Sequence, residues 1–126
     1  RDFLMPFAPT ILAETADKYL VNAHKIEAPY MIVAFETTEA GKRDMAAALH
    51  PYDKSVRPQV LSKYDNPKYY DLISHFMKLT GVGALLNTSF NIHGEPIVES
   101  PQDAIYVLMK SSLRYLSLNN FLVHKK

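Results

Sequence analysis

The residues of this sequence best suited to binding or catalysis lie in one short stretch, 87–96, which reads NTSFNIHGEP. It directly follows an apolar run, 83–86, that is typical of a buried strand. Hydroxyl, amide and backbone N–H groups in such a loop could converge on an anion such as phosphate. These groups belong to Asn87, Thr88, Ser89, Asn91 and Gly94. Asn, Ser and Gly are equally common in ordinary turns, so the residue types alone leave both interpretations open.

A second candidate is Arg57, which lies between apolar neighbours in a short predicted strand, 56–62. Pro58 within that segment indicates an edge strand or the start of a strand. An arginine rarely points into a protein unless it is paired with an acid or binds an anion. Arg57 is therefore either an anion ligand or a solvent-facing strand residue.

The other reactive side chains match no common metal or nucleotide motif. The sequence has no cysteine, which excludes a thiolate nucleophile and a Cys-based zinc site. None of the five histidines shows the i,i+4 helical spacing of a zinc site, and we predict no metal site. Only His93 lies in the polar loop, beside Glu95 and Glu99, which are either functional carboxylates or solvated loop residues. The loop has no Gly-Lys-Ser/Thr sequence and only one glycine, so it is neither a Walker loop nor a dinucleotide fingerprint.

Composition narrows the class of protein. The 126 residues are 48% hydrophobic and 21% charged, a balance typical of one globular domain. A net charge of +1 gives no electrostatic argument for nucleic acid or a membrane surface as a partner. No apolar run approaches the roughly 18 residues of a membrane-spanning helix, so we expect a cytoplasmic protein. The chain opens at Arg1 without a methionine, and we interpret it as a piece of a longer protein.

We expect alternating strands and helices to position the polar loop and Arg57. The sequence predicts helices at 10–21, 37–50, 66–80 and 101–111. It predicts strands at 28–37, 56–62 and 83–87, followed by one or two closing strands. This order favours an α/β (α+β) fold with helices packed on a mixed, twisted sheet. The polar loop would then extend from the carboxyl end of its strand, where open α/β sheets bind ligands.

Two of these helices carry clear end signals. Asn66 can cap the third helix, with Pro67 at its first position and Gly81 after its end. Residues 100–103, Ser-Pro-Gln-Asp, have the pattern of a capping box at the start of the last helix. Local chemistry therefore predicts both ends of the third helix and the start of the last helix.

The run LLNTSFNIHGEPIVESPQDAIYVL, residues 85–108, resembles the C-terminal signature of the NodU/CmcH carbamoyltransferases. In that family LLNTSFN is followed, after two residues, by Gly-Glu-Pro-Ile-Val and a Ser/Thr-Pro-x-Asp-Ala helix start. The segments MPFAPTIL, APYM, RPQ and NPKYYDLI resemble the same family in the same order. The similarity covers nearly all 126 residues, and the length of the uninterrupted signature makes it specific.

This resemblance implies a fold and an activity. Residues 1–126 would belong to a C-terminal YrdC-like domain, incomplete at its N-terminus, that binds ATP and carbamoyl phosphate and forms carbamoyl-adenylate. ATP would enter as its Mg²⁺ complex, while iron or another metal is expected only in an N-terminal transferase domain of the same chain. That domain would pass the carbamoyl group to an acceptor hydroxyl, such as that of an antibiotic sugar or, in nodulation proteins, a lipochitooligosaccharide.

The resemblance also implies roles for individual residues. The segment NTSFNIHGEP is similar to the Ser-x-Asn-x-Ser-Gly-x-Pro loop at the nucleotide site of YrdC-like proteins. Arg57 and Ser89 correspond to catalytic positions, and we predict that they line one pocket. Positions for binding nucleotide and carbamoyl phosphate correspond to Asn87, Thr88, Asn91, Gly94, Gln59 and Arg1. Many relatives carry Arg or Lys directly before the Pro-Phe-Ala-Pro run, where this chain has Met5.

Two other functions remain open at this point. The chain could be a non-catalytic nucleotide- or anion-binding module, or a structural domain that supports a partner. The isolated piece is expected to be inactive by itself. Apolar residues near its start, which are expected to be partly exposed, would favour a homodimer; they are Phe3, Leu4, Met5 and Phe7.

Overall fold

The computed structural model describes residues 6–126, which form two compact units divided between Thr88 and Ser89. The first unit contains a three-stranded sheet and the second a two-stranded sheet. Each unit has an apolar core of its own. The mixture of strands and helices confirms the predicted α/β (α+β) class.

The first unit contains three strands and three α-helices. The strands are β1 (Ala8–Leu12), β2 (Gln59–Leu61) and β3 (Ala84–Asn87). The α-helices are α1 (Ala16–Tyr19), α2 (Glu39–Asp44) and α3 (Pro67–Thr80). Short 3-10 helices are present at Ala13–Thr15, Ala23–Lys25 and Ala46–Ala48.

Strand β1 is the centre of the three-stranded sheet. It pairs with β2 in parallel, with Thr10 opposite Gln59. It pairs with β3 antiparallel, with Ala8 opposite Asn87. The sheet is therefore mixed, as predicted, and β2 and β3 are its edges.

Helix α3 covers one face of this sheet, and its ends are those that the sequence predicts. Asn66 Oδ1 accepts a hydrogen bond of 3.1 Å from the Tyr69 N–H, and Gly81 follows the helix in a left-handed conformation at φ 78°. Ile73 is fully buried against Leu12 and Leu61. The alternation of side chains along the strands places these two leucines on the same face.

The opposite face of the sheet carries the larger core cluster. Its buried members come from both the strands and the irregular segments between them: Ile11, Ala16, Tyr19, Leu20, Ala23, Ala28, Phe35, Met45, Ala48, Val56 and Ala84. Helix α2 contributes close backbone packing, because a Cβ atom on Gly41 would overlap the carbonyl oxygen of Tyr19. Thr38 caps this helix by accepting a hydrogen bond of 3.1 Å from the Gly41 N–H, and the α-helix ends at Asp44 rather than near the predicted 50.

The predicted helix at 10–21 is wrong over its first part. Residues 10–12 belong to β1, and α-helix begins only at Ala16. Thr10, Ile11 and Leu12 are completely buried, because this segment is hydrogen-bonded to a strand on either side. Pairing with two strands outweighs the helical spacing of the apolar residues, since strand formation depends strongly on tertiary context.

The predicted buried strand at 28–37 is also wrong. The segment makes only isolated bridges, between Phe35 and Val56 and between Leu20 and Thr37. Met31 has a positive φ of 54°, which interrupts an extended conformation. Ile32 is 78% exposed, so the apolar composition of this segment does not reflect a core strand. The sheet contains β1 in place of this segment.

The second unit consists of α4 (Pro101–Lys110) and a hairpin of β4 (Tyr115–Leu118) with β5 (Phe121–His124). The predicted capping box is present: Ser100 Oγ accepts from the Asp103 N–H, and the Asp103 carboxylate accepts from the Ser100 N–H. The hairpin confirms the predicted closing strands. The core of this unit consists of Ala104, Leu108 and Leu116, with Phe90, Val98, Leu118 and Val123 packed against them.

Some predictions about the start of the chain fall outside the described residues. This applies to Arg1 and to the exposure of Phe3, Leu4 and Met5; Phe7 is half-buried. No helix within residues 6–126 combines the length and the apolar character needed to cross a membrane.

Replacing Asn66 with alanine removes the acceptor of the Tyr69 N–H at the first turn of α3. We expect the free energy of unfolding to fall by about 1 kcal/mol. Urea denaturation followed by circular dichroism measures this change. Lys68→Ala, at an exposed position of the same turn, is the matched control and should change stability much less. Equal stability of Asn66→Ala and the parent would mean that the cap does not stabilise this helix.

Candidate functional site

The start of β1, the start of β2 and the end of β3 lie at the same end of the three-stranded sheet, which we call the site edge. This follows from the topology, because β2 is parallel to β1 and β3 is antiparallel to it. Arg57 lies two residues before β2, and Thr88 directly follows β3. With β1 between them, the backbones of β2 and β3 are about 10 Å apart. Residues far apart in the sequence therefore meet along one edge.

Three polar side chains form a network across this edge. Thr10 Oγ1 donates a hydrogen bond of 3.1 Å to Gln59 Oε1 and accepts one of 2.9 Å from Asn87 Nδ2. Thr10 is completely buried, and Gln59 and Asn87 are half-buried. The network lies on the face that α3 covers further along, where Leu12 and Leu61 pack. The face changes from apolar to polar towards the candidate site.

This network holds the side chains of Gln59 and Asn87, two of the predicted binding residues, in place. Each amide uses one polar atom for Thr10, which leaves the Gln59 amino group and Asn87 Oδ1 available to another partner. Sequence reasoning missed Thr10, whose position beside two β-sheet neighbours is a tertiary feature. Its only signal was a polar residue inside the apolar segment APTIL.

Arg57 is exposed and lines a cleft of about 120 Å³. The other lining residues are Pro6, Phe7, Ala34, Ala48, His50, Ser55 and Val56. The Arg57 guanidinium has no ion pair or hydrogen bond with any of residues 6–126. It is therefore not a structural ion-pair partner there, and its charge is available to a ligand. Arg57 lies before the strand, since β2 begins only at Gln59. The two side chains have different neighbours: Gln59 bonds to Thr10, whereas Arg57 lines the cleft.

The loop before Arg57 holds a histidine and an aspartate close together. His50 Nδ1 lies 3.1 Å from Asp53 Oδ1, a distance suited to an ion pair although the two groups are not aligned for a hydrogen bond. The Ser55 N–H donates to Asp53 Oδ1 at 2.9 Å. The hydrogen bonds from Ser55, more than the charge of His50, hold the pKa of the Asp53 carboxyl below its usual value. Sequence reasoning did not select His50.

The polar loop of the second unit is closed by its own hydrogen bonds. Asn91 Nδ2 donates to the Glu95 carbonyl at 2.7 Å, and the Val98 N–H donates to the Phe90 carbonyl at 2.9 Å. Gly94 has a φ of 85°, a conformation that favours glycine. Phe90 and Val98 also pack on the core of this unit. Asn91 and Gly94 therefore have a structural role in this loop, and their predicted role in ligand binding stays a prediction.

Thr88 and Ser89 are exposed at the junction after β3. The Ser89 hydroxyl makes no hydrogen bond to the part of the chain that the structure describes. It is thus available as a donor, as the resemblance requires. Arg57 and Ser89 belong to different units, and their meeting in one pocket stays a prediction.

A second cleft, of about 320 Å³, lies between the polar loop and α4. Its charged lining is acidic, from Glu95, Glu99 and Asp103. Asp103 is occupied in the capping box, and the hydrogen bonds from Ser100 hold its pKa below the usual value. Within residues 6–126 no group of three or more His, Asp or Glu side chains is arranged to hold a metal ion.

Replacing Thr10 with valine keeps the shape of the buried side chain and removes its hydroxyl. Gln59 and Asn87 each lose a partner, and we expect the free energy of unfolding to fall by about 1–3 kcal/mol. Thr80→Val is the control, because the exposed Thr80 hydroxyl makes only local hydrogen bonds at the end of α3, to the Phe76 carbonyl and from the Val82 N–H, which water can replace. Urea denaturation of both variants is the measurement. An equally small effect of the two changes would contradict the structural role of the Thr10 network.

Comparison with known proteins identifies the family of the chain. The carbamoyltransferase C-terminus family matches residues 1–125. The chain is 40% identical to protein MJ1051 of Methanocaldococcus jannaschii and 37% identical to nodulation protein NolO of Bradyrhizobium diazoefficiens, with 99% and 100% of this chain aligned. It is 32% identical to the 3'-hydroxymethylcephem-O-carbamoyltransferase of Amycolatopsis lactamdurans over 83% of its length. It spans only 24%, 23% and 19% of these three proteins. The chain belongs to the carbamoyltransferase C-terminus family.

Proposed function

We propose that the full-length protein is an O-carbamoyltransferase and that this chain helps to bind ATP and carbamoyl phosphate and to form carbamoyl-adenylate. The observation that carries the proposal is the guanidinium of Arg57, which is exposed on a cleft and has no ion-pair partner among residues 6–126. A cation without such a partner is suited to an anionic ligand. The family to which the chain belongs is named for carbamoyl transfer.

The proposed chemistry moves negative charge between phosphoryl groups. Water first converts carbamoyl phosphate to carbamate and phosphate. A carbamate oxygen then forms a bond to the α-phosphorus of ATP, and the bond to pyrophosphate breaks. No protein nucleophile takes part, which suits a site without cysteine. Arg57 would stabilise the charge that collects on the phosphoryl oxygens, since preorganised cations are the main source of catalysis in such reactions.

The polar residues at the sheet edge would orient the substrates. The Gln59 amino group and Asn87 Oδ1 are held by the buried Thr10 hydroxyl, so little entropy is lost when they bind a ligand. Thr88 and Ser89 directly follow β3 and would be further contacts of the substrates, with the Ser89 hydroxyl as a donor. Asn91 and Gly94 would hold the loop in a shape that presents its backbone N–H groups to a phosphate.

Mg²⁺ would arrive with ATP as part of the substrate, because Mg²⁺ in nucleotide enzymes is held largely by phosphate oxygens and water. The Asp and Glu side chains of residues 6–126 do not form a cluster that would bind it alone. An iron or other metal centre would belong to the N-terminal transferase domain that we propose for the full-length protein.

The second half-reaction would take place outside this chain. There an acceptor hydroxyl would attack the carbamoyl carbon of carbamoyl-adenylate and release AMP. The name of the Amycolatopsis relative describes carbamoylation at an oxygen of a hydroxymethyl group. We therefore propose a hydroxyl-bearing acceptor, which the N-terminal domain would select, and a cytoplasmic location, where ATP is available.

Arg57→Ala in the full-length protein should slow carbamoyl-adenylate formation. Charge-assisted contacts contribute about 1.5–3 kcal/mol, so we expect a decrease of roughly ten- to a hundredfold. Ser89→Ala removes a neutral donor and should have a smaller effect. Pyrophosphate release that depends on carbamoyl phosphate measures both. Arg114→Ala, at an exposed arginine of the second unit, is the control and should leave the rate unchanged.

Neither Arg57→Ala nor Ser89→Ala should lower the melting temperature much, because within residues 6–126 neither side chain has a structural partner. Unfolding of Arg57→Ala, together with normal turnover of Ser89→Ala, would contradict the proposal. Binding of ATP by calorimetry without any pyrophosphate release would instead favour a non-catalytic nucleotide-binding module.

A further inference from the structure

His50 has one covered and one uncovered side. Its Nδ1 is shielded from solvent and lies 3.1 Å from Asp53 Oδ1. The side chain as a whole is 38% exposed, so the exposed surface belongs to its other atoms. The ring lines the same cleft as Arg57. Because Asp53 faces Nδ1, Nε2 is the ring nitrogen that is left for another partner.

The loop that carries His50 is held by its backbone. The His50 N–H donates to the Ser55 carbonyl at 2.8 Å, and the Lys54 N–H donates to the His50 carbonyl at 3.1 Å. Lys54 Nζ donates to the Pro51 carbonyl at 2.7 Å. The loop shape thus does not depend on the imidazole, and within residues 6–126 Asp53 is the partner of the ring besides a tilted contact with Tyr52. The His–Asp pair has no evident structural task.

We propose that His50, oriented by Asp53, is a second ligand of the anion that Arg57 binds, and that this anion is the phosphate group of carbamoyl phosphate. This inference rests on the proposed function and deepens it. Bound as the imidazolium, His50 would donate from Nε2 to one phosphate oxygen while the Arg57 guanidinium donates to another. Ser55 also lines the cleft, where its hydrogen bonds hold the Asp53 carboxylate.

The volume of the cleft suits carbamoyl phosphate better than ATP. Its volume is about 120 Å³. Pockets that enclose ligands as large as a nucleotide measure roughly 300–1,000 Å³. Carbamoyl phosphate fits this space as a whole, whereas ATP could place only a phosphate group in it. The ligand chemistry, an oxyanion on a guanidinium and an imidazole, is shared by both substrates, and kinetic constants for each substrate separate them.

The test uses the full-length protein with His50→Ala, His50→Gln and Asp53→Asn. Inorganic phosphate is titrated by isothermal calorimetry, and KM is measured for carbamoyl phosphate and for ATP. His50→Ala should weaken phosphate binding and raise the KM for carbamoyl phosphate by roughly 10- to 100-fold, with the KM for ATP unchanged. His50→Gln keeps an N–H donor and should restore part of the affinity. Asp53→Asn should act in the same direction as His50→Ala, with a smaller loss.

The chain offers a matched control in a second His–Asp pair. His24 Nδ1 lies 3.2 Å from Asp17 Oδ1, both side chains are 64% exposed, and neither lines the cleft. His24→Ala and Asp17→Asn should leave phosphate affinity and both KM values unchanged. Melting temperatures of all variants show whether any loss reflects unfolding.

Several results would overturn the inference. Phosphate affinity unchanged in His50→Ala but reduced in Arg57→Ala would remove His50 from the site, as would an equal effect of the His24 control. A raised KM for ATP alone would show that the cleft holds nucleotide. Phosphate binding that requires Arg57 and His50, in a protein that forms no carbamoyl-adenylate, would support the anion site and contradict the proposed function.

Discussion

The first unit depends on the backbone pairing of β1 with a strand on each side. That pairing buries Thr10, Ile11 and Leu12 completely and leaves the Thr10 hydroxyl to find partners inside the protein. Gln59 and Asn87 are those partners. Because a buried hydroxyl without partners would be costly, the register of all three strands is tied to this polar network. The same register brings the start of β2 and the end of β3 to one edge.

The position of the candidate site follows from the directions of the three strands. β3 runs antiparallel to β1, so the polar loop leaves the sheet where β2 begins rather than where it ends. Arg57, two residues before β2, therefore lies at the same end of the sheet as Asn87. The binding groups that we propose are of two kinds: amides fixed by Thr10 inside the sheet, and the cation of Arg57 beside His50 on a cleft.

The sequence predicted best where local chemistry determines structure. Helices α3 and α4 begin and end at their capping residues, and the polar loop follows β3, because these features need only near neighbours. β1 was predicted as helix because its apolar spacing continues into the helical residues that follow, and only pairing with distant strands makes it extended. His50 stood out from the other histidines only in the folded chain, where it shares a cleft with Arg57.

Carbamoyl-adenylate itself is the most direct test of the central claim, that the chain contributes to the activation of carbamoyl phosphate by ATP. The full-length protein would be mixed with both substrates without an acceptor, quenched, and analysed by mass spectrometry. We expect carbamoyl-adenylate and pyrophosphate in equal amounts, formed only when both substrates are present. ATP left intact, or split to ADP with no adenylate, would contradict it.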